Sequence, residues 1–458
     1  MRRIIWVLLV VAIFGAPSRV ALANEYTDVI DAFDNDINDP FDLNLTVGYE
    51  YQNESALIRR ETFSTRYVPR KTDYFAYLDM FEYSRSAHLL NFKLEIGLYK
   101  DISIHLRLPL ILQDSRSLKE AKYFDARDWS GSNELFALPF TSPDRSGVDY
   151  FAVGANWGIL DQSRDDTKPN WGLYLEGRFS VGDALEASCR GDQRIPLPPT
   201  GATSSTCKDL GLDKSPGISR GLNEVSVGTR LSRRYGVADP FFGIEALLGW
   251  PKDGTTFQSG GANSGAINKN PPMVGSLDFG IEFIPWEMMQ TDRNEAERRI
   301  VMGIALGGSY HSEGREYTPL FDALGTSQYL DERFGKDTGI TGLDFNGDGK
   351  ISRNEKFSKD YVWTGMTDVE NYATFYGKLF LAVQPARYVK FRLTGGLTHV
   401  TEHFITKTDQ CASENMATNG ECGVYNWDNR PQIDAPGTRF RVEDDFVWSF
   451  NGDVMAQF

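Results

Sequence analysis

Apolar and polar side chains alternate along twelve short segments of this 458-residue chain. The last segment is the clearest, with Phe446, Trp448 and Phe450 on one side and Ser449 and Asn451 between them. A period of two residues places successive side chains on opposite faces of a β-strand. The pattern therefore predicts an all-β protein whose strands have one apolar face and one polar face.

The predicted strands fall at about 42–51, 90–98, 102–110, 151–159, 171–181, 225–231, 242–250, 277–283, 300–306, 375–383, 389–397 and 446–458. Connections after even-numbered strands are short, roughly 2 to 15 residues, and those after odd-numbered strands are long, roughly 20 to 60. Transmembrane barrels have short turns on the periplasmic side, where both termini lie, and long loops outside. We therefore predict a 12-stranded antiparallel transmembrane β-barrel with long extracellular loops.

The polar faces of these strands carry charges of both signs. A basic side chain facing lipid near the bilayer midplane costs about 2–4 kcal/mol, so the charges are expected to face inward. The predicted lumen residues are Lys93, Glu95, His105, Arg107, Glu176, Arg178, Arg230, Glu245, Asp278, Glu282, Lys390 and Arg392. Because both signs occur, we expect a narrow or partly plugged interior.

The N-terminus has the layout of a secretory signal. Arg2 and Arg3 precede an apolar stretch, and the small-residue site Ala21-Leu22-Ala23 follows it. We predict a cleaved signal peptide over 1–23, with an uncleaved anchor as the alternative. Residues 24–41 form an acidic periplasmic tail that is either solvated or a small plug, and 42–458 form the barrel.

Taken with the alternation and the loop asymmetry, this start and the final Phe458 make the chain resemble single-chain Gram-negative outer-membrane β-barrels. The resemblance implies export to the cell outer membrane and contact with the lipid bilayer. It also implies that Phe458 is recognised by the barrel-assembly machinery.

The chain is acidic. Its formal charge is −15, and removing the signal peptide with Arg2, Arg3 and Arg19 gives −18. Such a charge argues against a nucleic-acid partner and suits a surface that attracts cations.

Four cysteines form two local pairs within polar segments. Neither pair has the Cys-x-x-Cys spacing of zinc or thioredoxin-like sites. In an exported chain we therefore predict two disulfides, Cys189–Cys207 in the third long loop and Cys411–Cys422 in the sixth. Free thiols are the alternative.

Residues 344–355 match the calcium loop of an EF-hand. Calcium takes six to eight oxygen ligands, which this spacing supplies as the chain wraps around the ion. The predicted Ca²⁺ ligands are Asp344, Asn346, Asp348, Lys350 through its carbonyl, Ser352 and Glu355. The segment lies in the fifth and longest outer loop, where a weak site would order the loop. An ordinary Asp/Gly turn without an ion is the alternative.

Two catalytic patterns are weaker. His399, Glu402 and His403 match the His-x-x-Glu-His pattern of zinc proteases, but that chemistry needs a helix and the surroundings predict a strand end. Outer-membrane phospholipases pair a serine with a histidine at the outer rim, and Ser84 and Ser86 lie close to His88 in the sequence. Neither pattern is complete, so we predict that the protein is not an enzyme.

The sequence therefore favours a channel or facilitator for small solutes with a calcium-stabilised outer loop. One alternative is a surface structural or adhesion protein with a closed lumen, because loops hold roughly half of the mature chain. A second is an outer-membrane lipid hydrolase, which requires a Ser/His pair within hydrogen-bond reach at the outer rim.

Overall fold

A computed structural model of the chain describes residues 27, 29–30, 42–63, 75–124, 129, 134–197, 204–257, 268–289, 296–331, 350, 363–411, 422, 425–426 and 428–458. Strands dominate this part of the chain. The few helices described are short, and none of them has the length and apolar character needed to cross a membrane.

In chain order, the strands are β1 (Leu43–Phe63), β2 (Phe75–Tyr99), β3 (Ile102–Glu120), β4 (Phe140–Thr141), β5 (Arg145–Val148), β6 (Tyr150–Leu160), β7 (Asn170–Ser180), β8 (Arg194–Pro196), β9 (Ser204–Thr206), β10 (Leu222–Ser232), β11 (Ala238–Pro251), β12 (Val274–Met289), β13 (Ala296–His311), β14 (Gly314–Glu316), β15 (Thr367–Val369), β16 (Tyr372–Ala386), β17 (Val389–Val400), β18 (His403–Phe404) and β19 (Phe440–Gln457). The helices are α1 (Phe321–Gly325), α2 (Gln328–Asp331) and α3 (Pro431–Asp434).

Twelve long strands form one closed antiparallel barrel. Their order around the wall is β1, β2, β3, β6, β7, β10, β11, β12, β13, β16, β17 and β19. The last strand pairs with the first, with Asn44 opposite Gln457 and Tyr51 opposite Phe450. Closure pairs both edges of the sheet, as a wall surrounded by lipid requires. The predicted 12-stranded antiparallel barrel is confirmed.

The outer face of the wall is apolar and exposed. On β1, Leu45, Val47 and Tyr49 are 42%, 39% and 39% exposed. Exposed apolar side chains continue around the other strands at Trp157, Leu175, Val227, Ile244, Phe279, Ile304, Leu379, Leu393 and Phe450. A continuous apolar band of this kind is stable against hydrocarbon, not against water. The barrel is therefore a membrane-spanning one.

The connections alternate in length. Short ones cover 100–101, 161–169, 233–237, 290–295 and 387–388, and longer ones cover 121–149, 181–221, 252–273, 312–371 and 401–439. The first connection, 64–74, departs from the predicted range of roughly 20 to 60 residues. The prediction was wrong because β1 and β2 continue past the apolar band as a paired ribbon, where the outward side chains are polar and too few inward ones are apolar to mark a strand.

The extended ends of β1, β2, β3 and β19 have an inner face of the opposite character. Within the apolar band, the inner face of β1 carries polar residues such as Thr46 and Glu50. Farther along, the same face carries Ala56 and Ile58, which are buried. Phe81 lies opposite Ile58 on β2 and is buried as well. The interior of the barrel thus changes from polar to apolar along single strands.

A β-bulge produces this change in β19. Its pairing with β1 slips by one residue between Phe446 and Glu443, where Asp444 has a positive φ of 49°. The extra residue shifts the alternation by one position. Phe440 and Val442 therefore face inward and are buried, although they share the even-numbered phase of the lipid-facing Phe446.

The described parts of the long connections pack on this apolar inner face and form what we call the cap. Its core unites residues of four connections with the extended strands, including Trp129, Leu135, Phe136, Cys189, Leu324, Trp363 and Ile405. Rings of Phe81, Trp129 and Phe136 lie 5.0–5.2 Å apart. The cap is therefore a folded unit seated across the long-connection end of the barrel.

One buried carboxylate ties three connections of the cap together. Asp322 in α1 accepts hydrogen bonds from the Arg145 guanidinium at 2.5 and 3.0 Å. Ser142 Oγ and the Ser188 backbone N–H also donate to it, at 2.7 and 3.1 Å. A buried charge is tolerated only when it is paired and hydrogen-bonded, and Asp322 is both.

Candidate functional site

The polar interior of the barrel contains the candidate site. A cavity of about 380 Å³ lies among the inner faces, and ten of the twelve predicted lumen residues line it. The other two, Asp278 and Glu282, lie on the inner face of β12, and Glu282 is buried. Alternation places them there because their neighbours Leu277, Phe279 and Phe283 face lipid.

On one side of the cavity, several side chains contact the carboxylate of Glu176. It accepts hydrogen bonds from Arg107 Nη2 at 2.5 Å and Arg178 Nε at 2.7 Å, and His105 Nε2 lies 3.1 Å from its other oxygen. Gly154 stands between His105 and Glu176 in the register. A Cβ on Gly154 would lie 2.2 Å from His105 Cε1, so the histidine reaches Glu176 only across a glycine.

Two further carboxylates are held against the wall. Glu95 accepts from Lys93 Nζ at 3.0 Å and from Asn156 Nδ2 at 3.1 Å. Glu245 accepts from Tyr174 Oη at 3.0 Å and from Ser226 Oγ at 2.5 Å. The carboxylates of the cavity are therefore fixed by donors on their own strands and on other strands of the wall. The guanidinium of Arg230 lies 4.2 Å from the Tyr174 ring centre and completes this side.

Part of the N-terminal segment lies in the same cavity. Thr27, Val29 and Ile30 contribute to its lining. Thr27 Oγ1 lies 2.7 Å from Ser232 Oγ, at the short-turn end of β10. Sequence patterning left open whether residues 24–41 are a solvated tail or a plug, and the described residues place this part of the segment inside the wall.

Both predicted disulfides are confirmed. Cys189–Cys207 and Cys411–Cys422 have S–S distances of 2.00 and 1.98 Å. The first lies in the core of the cap, where both sulfurs are buried. It fixes the fold of the third long connection around the side chains that cover the barrel mouth.

The predicted calcium ligands Asp344, Asn346, Asp348, Ser352 and Glu355 lie outside the described residues, and Lys350 alone of the set lies within them. Elsewhere in the part of the chain that the structure describes, no group of three or more His, Cys, Asp or Glu side chains is arranged to hold a metal ion. The calcium loop stays a prediction.

The residues of the His-x-x-Glu-His pattern have separate partners. His399 stacks on Phe446 with ring centres 4.8 Å apart. His403 stacks on Tyr372 at 4.2 Å, and Glu402 pairs with Arg441 at 2.5 Å. These contacts direct the three side chains to different neighbours and argue against a shared zinc site, as the strand context predicts.

Ser84 and His88, considered for a lipid hydrolase, contact other residues. Ser84 Oγ lies 2.8 Å from Ser117 Oγ, and His88 Nδ1 lies 2.7 Å from Tyr49 Oη. A different Ser/His pair forms: Ser309 Oγ lies 3.0 Å from His311 Nε2.

Sequence analysis missed the Ser309–His311 contact, although Ser-x-His within a predicted strand places both side chains on one face. That face is the inner one, because the intervening Tyr310 is exposed on the lipid side. His311 also stacks on Tyr372, with ring centres 4.3 Å apart. The pair therefore lies away from lipid, beneath the cap.

No protein-family model and no curated protein matches the chain. Among solved structures, it is similar to an outer membrane channel from Pseudomonas putida F1, with 10% identity, a TM-score of 0.38 and coverage of 96% of this chain and 100% of that one. It is also similar to a FadL homologue from Pseudomonas aeruginosa, with 9% identity, a TM-score of 0.30 and coverage of 91% and 90%.

A third similar structure is the outer membrane protease OmpT from Escherichia coli, with 7% identity, a TM-score of 0.27 and coverage of 91% and 96%. Channels and a protease thus share this distant likeness.

Proposed function

We propose that the protein is an outer-membrane channel or facilitator for small solutes, closed by the cap and by Thr27, Val29 and Ile30 of the N-terminal segment. The observation that supports this most directly is the polar, charge-lined cavity of about 380 Å³ inside a membrane-spanning wall. Side chains can fill the interior of an eight-stranded barrel, and twelve strands enclose more space than eight.

The N-terminal segment is the closure that can be tested without disturbing the wall. The first strand begins at Leu43, so deletion of residues 24–41 leaves every barrel strand intact. In planar bilayers we expect the mature chain to conduct weakly and the deletion variant to conduct in larger and longer steps. Thr27→Val, which removes the hydrogen bond between Thr27 Oγ1 and Ser232 Oγ, is the milder variant and is expected to open the channel partly.

A surface structural or adhesion role is the second candidate, and the packed core of the cap favours it. The two candidates differ in one outcome. If neither the mature chain nor the deletion variant conducts in bilayers while both resist SDS as folded barrels, the channel proposal is wrong and the surface role takes its place.

A lipid hydrolase is the third and weakest candidate. The Ser309–His311 contact supplies a possible nucleophile and base, but it faces the interior. Ser309→Ala is expected to leave the hydrolysis of phospholipid by purified protein at the background rate. A loss of measurable hydrolysis in this variant would revive the candidate.

For orientation, we propose that the cap lies outside the cell and that the short turns lie in the periplasm, as in transmembrane barrels generally. An epitope inserted in 64–74 is expected to bind antibody on intact cells. The same epitope in 290–295 is expected to bind only after the cells are permeabilised, and the reverse pattern would invert the topology.

We also propose that Phe458 is recognised by the barrel-assembly machinery. Its side chain is 65% exposed at the end of the wall, while its backbone pairs with Leu43 through N···O distances of 2.9 and 3.1 Å. Phe458→Ala keeps the backbone pairing and is expected to lower the yield of assembled barrel in cells. Val454→Ala, a lipid-facing change in the same strand, is the control.

Calcium binding at 344–355 is proposed from the sequence match. Millimolar Ca²⁺ is expected to protect the 312–371 connection from protease, because such extracellular sites bind at about 10⁻⁴–10⁻³ M. Asp344→Ala and Glu355→Ala are expected to abolish the protection. Lys350→Ala is the control, since position 7 of the loop contributes only its backbone carbonyl. Protection that is the same in all variants would exclude the site.

A further inference from the structure

We propose that the lumen cavity is an anion-binding site, and that the solutes it passes are small molecules bearing carboxylate or phosphate groups. This rests on the proposed channel function and goes beyond it by assigning a sign to the permeating solute. The assignment is supported by the charges that line the cavity, by the exposure of the charged side chains and by the register of the strands that carry them.

The lining is cationic in an acidic protein. Six basic residues line the cavity, against three carboxylates: Lys93, Arg107, Arg178, Arg230, Lys390 and Arg392 against Glu95, Glu176 and Glu245. The whole chain carries a formal charge of −15. A cleft lined by one sign within low-dielectric walls concentrates ions of the other sign. The excess of positive charge therefore favours anions inside the barrel.

The basic side chains of two ion pairs are more exposed than their carboxylate partners, which increases the excess of positive charge at the cavity surface. In the Lys93–Glu95 pair, the lysine side chain is 39% exposed and the glutamate 10%. In the Arg107–Glu176 pair, the arginine is 32% exposed and the glutamate 10%. In both pairs the carboxylate lies back against the wall and the cation extends into the cavity.

The register brings like charges together. Lys93 lies directly opposite Arg107, and Arg107 is separated from Arg178 by Ala152 alone. The two guanidinium groups lie 5.6 and 5.7 Å from the ring centre of Tyr150. Like charges opposite each other in a sheet are destabilising. Glu95 and Glu176 pair with these cations and offset the repulsion on the side of the wall. The more exposed ammonium group of Lys93 and guanidinium group of Arg107 face the cavity, so this cluster points to a ligand of negative charge.

The N-terminal segment has the matching sign. Residues 24–41 contain six acidic residues and no lysine or arginine. Thr27, Val29 and Ile30 from this segment line the same cavity. Because these three residues occupy part of the cavity, removing the segment is expected to make room for an anionic solute and to strengthen its binding.

The test is ion selectivity in planar bilayers under a KCl gradient, using the variant that lacks residues 24–41. We expect a reversal potential of the sign that chloride permeation gives. Lys93→Gln in the same background is expected to lower the anion-to-cation permeability ratio about fivefold, the effect of one unit charge at contact distance in water. Lys119→Gln, an exposed cation outside the cavity, is the matched control and should leave the ratio unchanged.

A binding measurement separates this inference from the channel proposal. Citrate titrated calorimetrically into the deletion variant in detergent is expected to bind, and to bind at least about fivefold more weakly to Lys93→Gln. Conductance with cation selectivity, or an absence of citrate binding, would overturn the anion site and leave the channel standing. Citrate binding without any conductance would overturn the channel and leave the anion site standing.

Discussion

The wall and the cap of this molecule place their apolar side chains on opposite sides, outward in the wall and inward in the cap. In the wall, apolar side chains such as Val47 are exposed on the outside and hydrogen-bonded charges such as Glu176 line the inside. In the cap, apolar side chains such as Phe136 are buried inside, as in a water-soluble domain. The difference follows from the solvent, since hydrocarbon surrounds the wall and water surrounds the cap.

Both arrangements occur within the same strands, which makes the comparison informative. β1 has an outward apolar face at Leu45 and Tyr49 and an inward apolar face at Ile58. The change of face lies where the strand leaves the apolar band. Which face of a strand carries its apolar side chains therefore depends on the position along the membrane normal, and it changes within a single strand.

The largest expected effect comes from the same substitution made in the two regions. Phe136→Ala removes a fully buried ring of the cap core and is expected to destabilise the cap by about 3–5 kcal/mol. Phe450→Ala removes a ring that is 46% exposed on the lipid side, where lipid tails replace the lost contacts. Trypsin cleavage rates in the long connections measure cap stability, and resistance to SDS measures barrel stability.

We expect Phe136→Ala to be cleaved much faster while its barrel still resists SDS, and Phe450→Ala to be cleaved at the wild-type rate. If Phe136→Ala also lost the SDS-resistant barrel, the wall and the cap would unfold as one unit. The division of the molecule into two regions would then be wrong.

The Cys189–Cys207 disulfide gives the next largest effect and belongs to the cap alone. It closes a loop with a sequence separation of 18, for which the loop-entropy relation gives about 3 kcal/mol. Cys189→Ala with Cys207→Ala is expected to raise the trypsin cleavage rate of the 181–221 connection and to leave conductance of the open barrel unchanged. A changed single-channel conductance would mean that this connection reaches into the pathway.

The pH response distinguishes the regions further. Burial raises the pKa of Glu316 in the cap from 4.5 to about 7, although Arg220 opposes the shift. The folded cap then favours the protonated acid, so this contribution to stability is fully present below pH 4.5 and lost as the pH rises to about 7.

Glu316→Gln isolates this contribution. The difference in cap stability between wild type and variant is expected to change by about 3 kcal/mol across that window, since one pKa unit corresponds to about 1.4 kcal/mol. Trypsin cleavage rates at a series of pH values give the difference. A difference that is flat with pH would show that Glu316 is solvated in the folded cap.

Sequence patterning predicted the wall well because the wall obeys one simple rule. Alternation located all twelve strands, and the same alternation assigned His105, Arg107 and Glu176 to the interior. The convergence of His105 and Arg107 on Glu176 could not be predicted, because it depends on the register that places Gly154 between His105 and Glu176.

The cap could not be predicted because its strands depart from simple alternation. Beyond Tyr51 the strand continues with polar residues facing out, and the inward apolar positions Ala56 and Ile58 are too few to mark a strand by periodicity. Phe440 and Val442 are in the even-numbered phase of Phe446, which pointed them outward. A single inserted residue reverses their direction, and periodicity averaged over a window does not detect it.

That inserted residue, Asp444, provides the smallest test and the one most specific to the junction. Its φ of 49° is unfavourable for most side chains but available to glycine at no steric cost. Asp444→Gly is expected to change cap stability by less than about 1 kcal/mol, and Asp444→Val to lower it by about 1–2 kcal/mol because a β-branched side chain resists this conformation. Trypsin cleavage of the 401–439 connection is the measurement.

If valine were tolerated as well as glycine, β19 would pass the junction without a bulge. Phe440 and Val442 would then lie on the lipid-facing side, and the inversion between wall and cap would have to arise elsewhere in the strand.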